Sequence, residues 1–522
     1  LASAWLATGR GPGWRLRSGP GSGSGPGPGS GSGPGSGSGP GSGGRTGSPG
    51  SGSGAGQILD TLRRLRGAPE RGMGGGPARW ARRSDLRSLE VKAPVAGRLT
   101  LGAAGGRLVA ADAGHSLLVV GPTQSFKTTG LAVPALLEWR GPVVAASVKG
   151  DLVRDTVAWR RRQGRVWVYD PTASTDLDSA RWSPLGGAVT WAGARRVADG
   201  LVEAGRTAPG GFTDGDFWYA TASKLLGPLL LAAAVSGRTM TDVVRWVDVQ
   251  ESGEVVDALE TAGQWQALQA LRATWGRDDR QRSAVYTTAE TVVEVFADPA
   301  VAASASPGRG DIDPVGLLES ENTLYLCAPA HEQRRLRPLF SGLVTRVIDA
   351  AFERAGRQGG RLQPPLLVVL DEAANVAPVA ELDVLASTAA GHGIQLVTVW
   401  QDLAQLTARY GPRAATVVNN HRAKLFLSGI GDPGTLDHAS ALIGDGEQPV
   451  ASTTVDRGRA AGSTTMTPTY RRLAPADALR RMAPGTGVLI SGHLPPARVT
   501  LRPWYRDREL RRRAEGRPEG DG

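Results

Sequence analysis

The stretch Ser116-Leu-Leu-Val-Val-Gly-Pro-Thr-Gln-Ser-Phe-Lys-Thr128 decides how this chain is read. Its first half is a short apolar run with the pattern of a buried strand. Its second half, Gly121 to Thr128, leaves that strand as a loop ending in Lys-Thr. Backbone N–H groups of such a loop, together with the start of the next helix, cradle phosphate oxygens, while the lysine reaches the terminal phosphates and the hydroxyl ligates Mg2+. Gly121, Pro122, Thr123, Gln124, Ser125, Phe126, Lys127, Thr128 and Thr129 are therefore the expected nucleotide-binding residues, with ATP and Mg2+ as cofactors. One position departs from the usual pattern. Phe126 stands where glycine normally precedes the lysine, giving up conformational freedom where the backbone closes on phosphate. It is expected either to strain the loop or to pack against a helical segment.

A second apolar run, Leu366-Leu-Val-Val-Leu370, ends in Asp371 and Glu372. At the tip of a core strand, Asp371 suits Mg2+ and Glu372 suits the proton of an attacking water. The same pair could cap and charge the first turn of a helix, but the loop elsewhere in the chain selects the nucleotide reading. Gln401 ends the run Ile394 to Trp400, where a neutral amide can donate to a phosphate oxygen and accept from water. The expected catalytic residues are Glu372, Gln401 and Lys127, and the expected metal ligands are Thr128 and Asp371. Lys149, after Val143 to Val148, and the pair Asn419-Asn420 are lesser candidates for approaching phosphate. The six histidines show no ligand spacing, so no metal beyond Mg2+ is expected.

The 522 residues suffice for two or three domains. Formal net charge is +11, almost all from arginine, which fits a polyanionic partner or an anionic membrane surface. Cys327 is the only cysteine, which excludes an internal disulfide and a thiolate-rich metal site and suits a reducing cytosol. Residues 1–56 contain a long Gly/Ser/Pro tract that cannot bury apolar surface and reads as a disordered tether. Residues 57–94 form a basic arm. From there apolar strands alternate with helical stretches, the signature of a parallel α/β sheet, with strands expected at 116–120, 142–148, 165–170, 323–328, 366–370, 394–400, 423–427 and 487–491. The expected organisation is a nucleotide-binding domain in two parts, 95–185 and 311–507, interrupted by an all-α domain at 186–310 and followed by a charged tail at 508–522. No stretch reads as a bilayer span, and the missing initiator Met leaves room for a membrane segment ahead of Leu1.

The chain resembles the conjugative coupling proteins of type IV secretion, the TraG/TraD group of hexameric DNA-pumping ATPases, from about residue 95 to 507. Besides the loop, the resemblance rests on Ser147-Val-Lys-Gly-Asp151, Asp170-Pro171, Trp182-Ser-Pro-Leu185, Asp371-Glu372, Val399-Trp-Gln401-Asp-Leu-Ala-Gln-Leu and Leu489-Ile-Ser-Gly-His-Leu-Pro-Pro. It implies a RecA-like P-loop core, ATP hydrolysis coupled to DNA translocation, and a homo-hexamer. Gln401 would sense the terminal phosphate. Implied partners are DNA bound without sequence preference, a relaxase or other secreted substrate protein, and the components of the secretion channel, at the cytoplasmic face of the cell membrane. The group usually carries an arginine just before the strand of Gln401, supplied to a neighbouring subunit; here that place holds Ala390, so the expectation is either an arginine from elsewhere, for instance Arg413 or Arg422, or slow hydrolysis. An FtsK-like DNA translocase and a non-hydrolysing, nucleotide-dependent recruitment scaffold are the alternative readings.

Overall fold

The computed structural model describes residues 76–147, 150–206, 214–307, 311–373, 375, 379–454 and 463–517. The expected tether at 1–56, the first part of the basic arm, Lys149 and the last five residues lie outside the described residues. Thirteen strands are present among the described residues. They are β1 (Thr100–Ala104), β2 (Arg107–Ala110), β3 (Leu117–Val120), β4 (Val143–Ser147), β5 (Val166–Tyr169), β6 (Thr323–Cys327), β7 (Leu366–Leu370), β8 (Ile394–Trp400), β9 (Ala423–Leu427), β10 (Asp445–Thr454), β11 (Ser463–Arg472), β12 (Thr486–Ser491) and β13 (Ala497–Thr500).

Eleven of them form one sheet in the order β2-β1-β13-β12-β9-β3-β8-β7-β4-β6-β5. The segment β9-β3-β8-β7-β4-β6-β5 is parallel throughout, and β12, β13, β1 and β2 extend it antiparallel. The parallel strands are apolar at nearly every position because both faces are covered by helices, which is why they read as unbroken hydrophobic runs. Every expected strand has its counterpart here. The antiparallel strands β1, β2 and β13, toward one end of the sheet, and the separate hairpin β10–β11 have no such signal.

Between β5 and β6 every regular element among the described residues is helical, from Trp191–Gly205 through Pro299–Ser304. Its central helix, Asp214–Val235, is long and apolar enough over Phe217–Val235 to cross a membrane. The reason is burial in protein: Leu225, Leu226, Leu229, Leu230 and Leu231 are all fully enclosed. These helices share one continuous core with the face of the sheet that carries Leu118, Val144, Val368 and Leu396. A second core lies on the other face. All parallel strands point their C-terminal ends to one pole, where ligands of open α/β sheets bind.

Candidate functional site

β3 carries the loop Gly121–Lys127 to that pole. The Gly121 N–H donates to the Trp400 carbonyl (3.0 Å), the Asp371 N–H to the Ala146 carbonyl (3.0 Å) and the Ala373 N–H to the Val399 carbonyl (3.2 Å), so the tips of β3, β8, β7 and β4 are bonded side by side. Ser125 Oγ closes the loop by donating to the Pro122 carbonyl (2.8 Å). A Cβ at Gly121 would come within 2.9 Å of Leu427 Cβ, so no other residue fits there without a shift. Thr123 and Gln124 line the exposed rim, and Thr129 is half-buried in the first helical turn. Helical structure begins at Thr128, wound as a π-helix to Ala132 and as an α-helix over Val133–Glu138. Such π segments are frequent at functional sites.

Gln124 and Phe126 both adopt left-handed backbone conformations, with φ of 63° and 65°. Left-handed geometry costs roughly 1–2 kcal/mol per non-glycine residue, so the loop is strained at the position where glycine is usual. Phe126 also packs, though not against the helical segment. Its ring belongs to the core on the opposite face, and a Cβ on Gly485, in the turn before β12, would lie 3.7 Å from it. Both effects therefore operate at once, and the helical segment has no part in them.

Lys127 Nζ donates to the carbonyls of Gly121 (2.7 Å) and Pro122, and so sits over the loop's own concave side. Thr128 Oγ1 donates to Asp371 Oδ2 at 2.8 Å, joining two motifs 243 residues apart. Asp371 is buried, and burial pushes its carboxyl up to about 6 against the hydrogen bond from Thr128; Asp151 and Glu372 add to the rise and Lys127 opposes it. An enclosed carboxylate beside a hydroxyl, with further negative charge near, suits a divalent cation. Among the described residues no group of three or more His, Cys, Asp or Glu could hold a metal. The fit is therefore to Mg2+ held by Thr128 and Asp371 and completed by phosphate oxygens and water, the usual arrangement for that ion.

Glu372 follows with φ 61°, a strained and half-buried position at the strand tip. Backbone strain of this kind persists where the surroundings enforce it and gathers at active sites. Gln401 leaves β8 next to the loop; its N–H donates to Gln405 Oε1 (3.1 Å), and Asp402 Oδ1 caps the helix Leu403–Tyr410 by accepting from the Gln405 N–H (2.7 Å). Asp151 carries no catalytic signal of its own in the sequence, although it closes one of the stretches on which the resemblance rests. It accepts from Ser147 Oγ (3.3 Å) and the Leu152 N–H (2.9 Å). Cys327 ends β6 at the same pole, but its thiol is pushed up to about 12 by burial and by Asp170 and Asp151, which leaves it inert.

Other candidates fall elsewhere. Asn419 and Asn420 precede β9, which runs parallel to β3, so they lie at the pole opposite the loop; Asn420 Nδ2 donates to the Asp383 carbonyl (2.8 Å). Arg422 lines a cavity of about 220 Å3 there with Ala390, His115 and both asparagines. Arg413 is occupied by the Ala380 carbonyl (3.1 Å) and the Asp383 carboxylate (3.6 Å). A larger cleft, of about 820 Å3, runs along the helices Trp191–Gly205 and Gln333–Arg357; it is lined by Trp182 and Pro184 of the stretch Trp182-Ser-Pro-Leu185 and by Arg413, but by none of the expected nucleotide, metal or catalytic residues.

This fold and site define a P-loop protein with an α/β core interrupted by helices. A family model for type IV secretory system conjugative DNA transfer matches residues 79–517, and the chain belongs to that family. Conjugal transfer protein TraG of Escherichia coli is 26% identical over 358 residues, 63% of this chain and 54% of the relative. Protein VirD4 of Agrobacterium fabrum is 25% identical over 473 residues, 84% of this chain and 67% of the relative. The chain thus spans about half the length of that TraG relative. Among solved structures, the bacterial conjugative coupling protein TrwBdeltaN70 in an unbound form superposes with a TM-score of 0.60 at 19% identity, covering 82% of this chain and 95% of that one. Plasmid coupling protein TrwB in complex with ADP and Mg2+ gives 0.60 at 21%, covering 82% and 95%. At those identities the likeness speaks to the fold.

Proposed function

We propose that this chain is the ATP-driven motor of a conjugative DNA-transfer or type IV secretion system, working as a homo-hexamer at the cytoplasmic face of the cell membrane. The observation that carries the reading is the 2.8 Å bond between Thr128, in the first helical turn after β3, and Asp371, at the tip of β7 one strand removed, with Lys127, Glu372 and Gln401 around it. In this assignment the loop amides and Lys127 hold the phosphates of ATP. Mg2+, when bound, neutralises charge on the phosphate oxygens. Thr128 and Asp371 orient that ion, and Glu372 accepts the proton of the attacking water. Gln401 reports the terminal phosphate to the helix Leu403–Tyr410.

The helical segment between β5 and β6 would be a domain of its own in function, and the relaxase or other secreted protein and the channel components would be its partners. For the arginine supplied to a neighbouring subunit we favour Arg422, which lines the same cavity as Ala390, over Arg413, which is engaged within its own chain. The strained Phe126 supports a second reading, a nucleotide-dependent scaffold that does not turn over.

One experiment separates these readings: ATPase rate with and without random-sequence DNA, beside binding to the same DNA across a salt series. The motor reading expects a DNA-stimulated rate and affinity falling by ~3 orders of magnitude from low to physiological salt if six or more phosphates are engaged. Salt-insensitive binding with an unstimulated rate would overturn it.

A further inference from the structure

In the nucleotide site as assigned above, the terminal phosphate faces Asp371, Glu372 and Gln401, which follow β7 and β8 on one side of β3. The ribose and base of the bound nucleotide then leave the loop on the other side, where the sheet continues through β9, β12 and β13. What this chain places there is the segment that follows β13. The Leu501 N–H donates to the Gly485 carbonyl (2.8 Å), in the turn that also meets the Phe126 ring. A Cβ on Gly130, within the π-helical turn Thr128–Ala132, would come within 3.0 Å of Leu501 Cβ and 3.5 Å of Phe126 Cβ, so this glycine lets the segment close onto the start of the loop's helix. The short turn Trp504–Arg506 then packs against Thr128–Ala132.

That turn is braced on every side but one. Pro503 precedes it with a fixed φ, and the Arg506 N–H donates to the Pro503 carbonyl (2.8 Å). Arg502 is clamped between Glu138 (2.8 Å) and Asp507 (2.7 Å). Asp507 in turn accepts from the N–H groups of Glu509 (3.0 Å) and Leu510 (3.2 Å), which fixes the helix Arg508–Ala514 behind the turn. Trp504 packs against the core on this face of the sheet. Tyr505 stays outside it, 39% exposed, with its ring edge-on to Trp504 (centroids 6.0 Å apart) and the Arg506 guanidinium standing over it at 5.8 Å. Among the described residues neither the Tyr505 hydroxyl nor the Arg506 guanidinium makes a hydrogen bond or an ion pair.

A single exposed ring needs no explanation by itself. One that is braced from behind, joined by a flat cation and set beside the helix of a nucleotide loop offers the π-surface on which a base stacks. We propose that Tyr505, backed by Trp504 and joined by Arg506, is the platform on which the purine base of bound ATP stacks. This rests on the reading of the loop as an ATP site and names what holds the other end of the nucleotide. Because the turn is already rigid, little side-chain freedom is lost when the base arrives. Stacking takes a base by its face, so the platform adds affinity for the nucleoside without reading the edge of the purine.

The test uses the full chain and compares Mg2+-ATP with Mg2+-tripolyphosphate, which carries the phosphates and lacks the nucleoside, by calorimetric titration of wild type, Tyr505→Ala and Tyr505→Phe. Tyr505→Ala should weaken ATP binding by ~5- to 150-fold, the worth of one base–aromatic stack, and leave tripolyphosphate binding unchanged. Tyr505→Phe keeps the ring and should match wild type for both ligands. The melting temperature of Tyr505→Ala without nucleotide should match wild type, since the ring lies outside the core. Unchanged ATP affinity in Tyr505→Ala overturns the platform and leaves the loop's reading intact. An equal loss of ATP and tripolyphosphate binding overturns it too, because the substitution would then act through the loop. A fall in Tyr505→Phe as large as in Tyr505→Ala would assign the effect to the hydroxyl and overturn stacking. Wild type that binds neither ligand would remove the ATP reading itself, and the platform with it.

Discussion

At the N-terminal end of the parallel strands, Arg160 is completely buried and its guanidinium is used up on Thr323 Oγ1 (2.7 Å) and the carbonyls of Trp139 (2.9 Å), Gly141 (2.9 Å) and Glu321 (3.0 Å). At the C-terminal end of the same sheet, Asp371 is buried with its carboxyl raised, Phe126 and Glu372 are held in left-handed backbone, and the buried Arg337 Nε has no acceptor among the described residues. Arg160 has spent its donors on holding α/β elements together. The residues named at the other pole are strained or unsatisfied, which is the condition in which a phosphate or a cation finds partners already in place.

Breaking the functional pole should give the largest effect. Glu372→Gln keeps the shape and loses the base, so ATP turnover should fall by ~2 to 4 orders of magnitude with binding intact. A variant that hydrolyses ATP at the parent rate would move the base elsewhere. Breaking the structural pole should cost stability and spare the site: Arg160→Ala strands several buried acceptors and should lower unfolding free energy by on the order of 3–5 kcal/mol. Chemical denaturation measures this. A near-neutral result would mean that water satisfies those carbonyls.

Asp371 sharpens the comparison through pH. Its folded value is raised to about 6 from 3.8, so the folded state binds the proton more tightly, and the stability this confers is complete below 3.8 and lost as pH rises through about 6. In the absence of Mg2+, Asp371→Asn should match wild type at low pH and exceed it above pH 6 by on the order of 1–3 kcal/mol. Melting curves across pH that stay parallel would contradict the desolvation account.

Phe126→Gly should have the smallest effect. Relief of left-handed strain, roughly 1–2 kcal/mol, offsets the loss of a partly buried ring of about the same worth. A melt with and without nucleotide should show stability within about 1 kcal/mol of wild type and ATP affinity held or raised. Weakened affinity would mean that the ring itself shapes the loop.

The functional pole is the more legible of the two. Leu117–Val120, Leu366–Leu370 and Ile394–Trp400 are buried on both faces, so their strands stand out as apolar runs, and each delivers its motif at the next residue. The strands β1 and β2 are short, and β1 contains Gly102, whose Cβ position would fall 2.4 Å from the Thr500 carbonyl oxygen, so close backbone approach replaces hydrophobic pattern as their organising force. The hairpin β10–β11 is rich in Ser and Thr and looks like loop because it too lacks an apolar run. Asn419 and Asn420 read as neighbours of phosphate because strand polarity is not written in a local pattern; only the parallel pairing of β9 with β3 puts them at the other pole. Arg337 carries no signal at all. An arginine on a helix reads as a solvated face until the helix is docked.

The central claim is that the strained pole binds Mg2+-ATP through the loop. Calorimetric titration of Mg2+-ATP into wild type and Lys127→Ala tests it most directly. Lys127 contributes a charge-assisted bond to phosphate, so its removal should weaken binding by ~10- to 100-fold or more. Equal affinity in the two proteins would contradict the account, because the phosphates would then be held somewhere other than Gly121–Thr128.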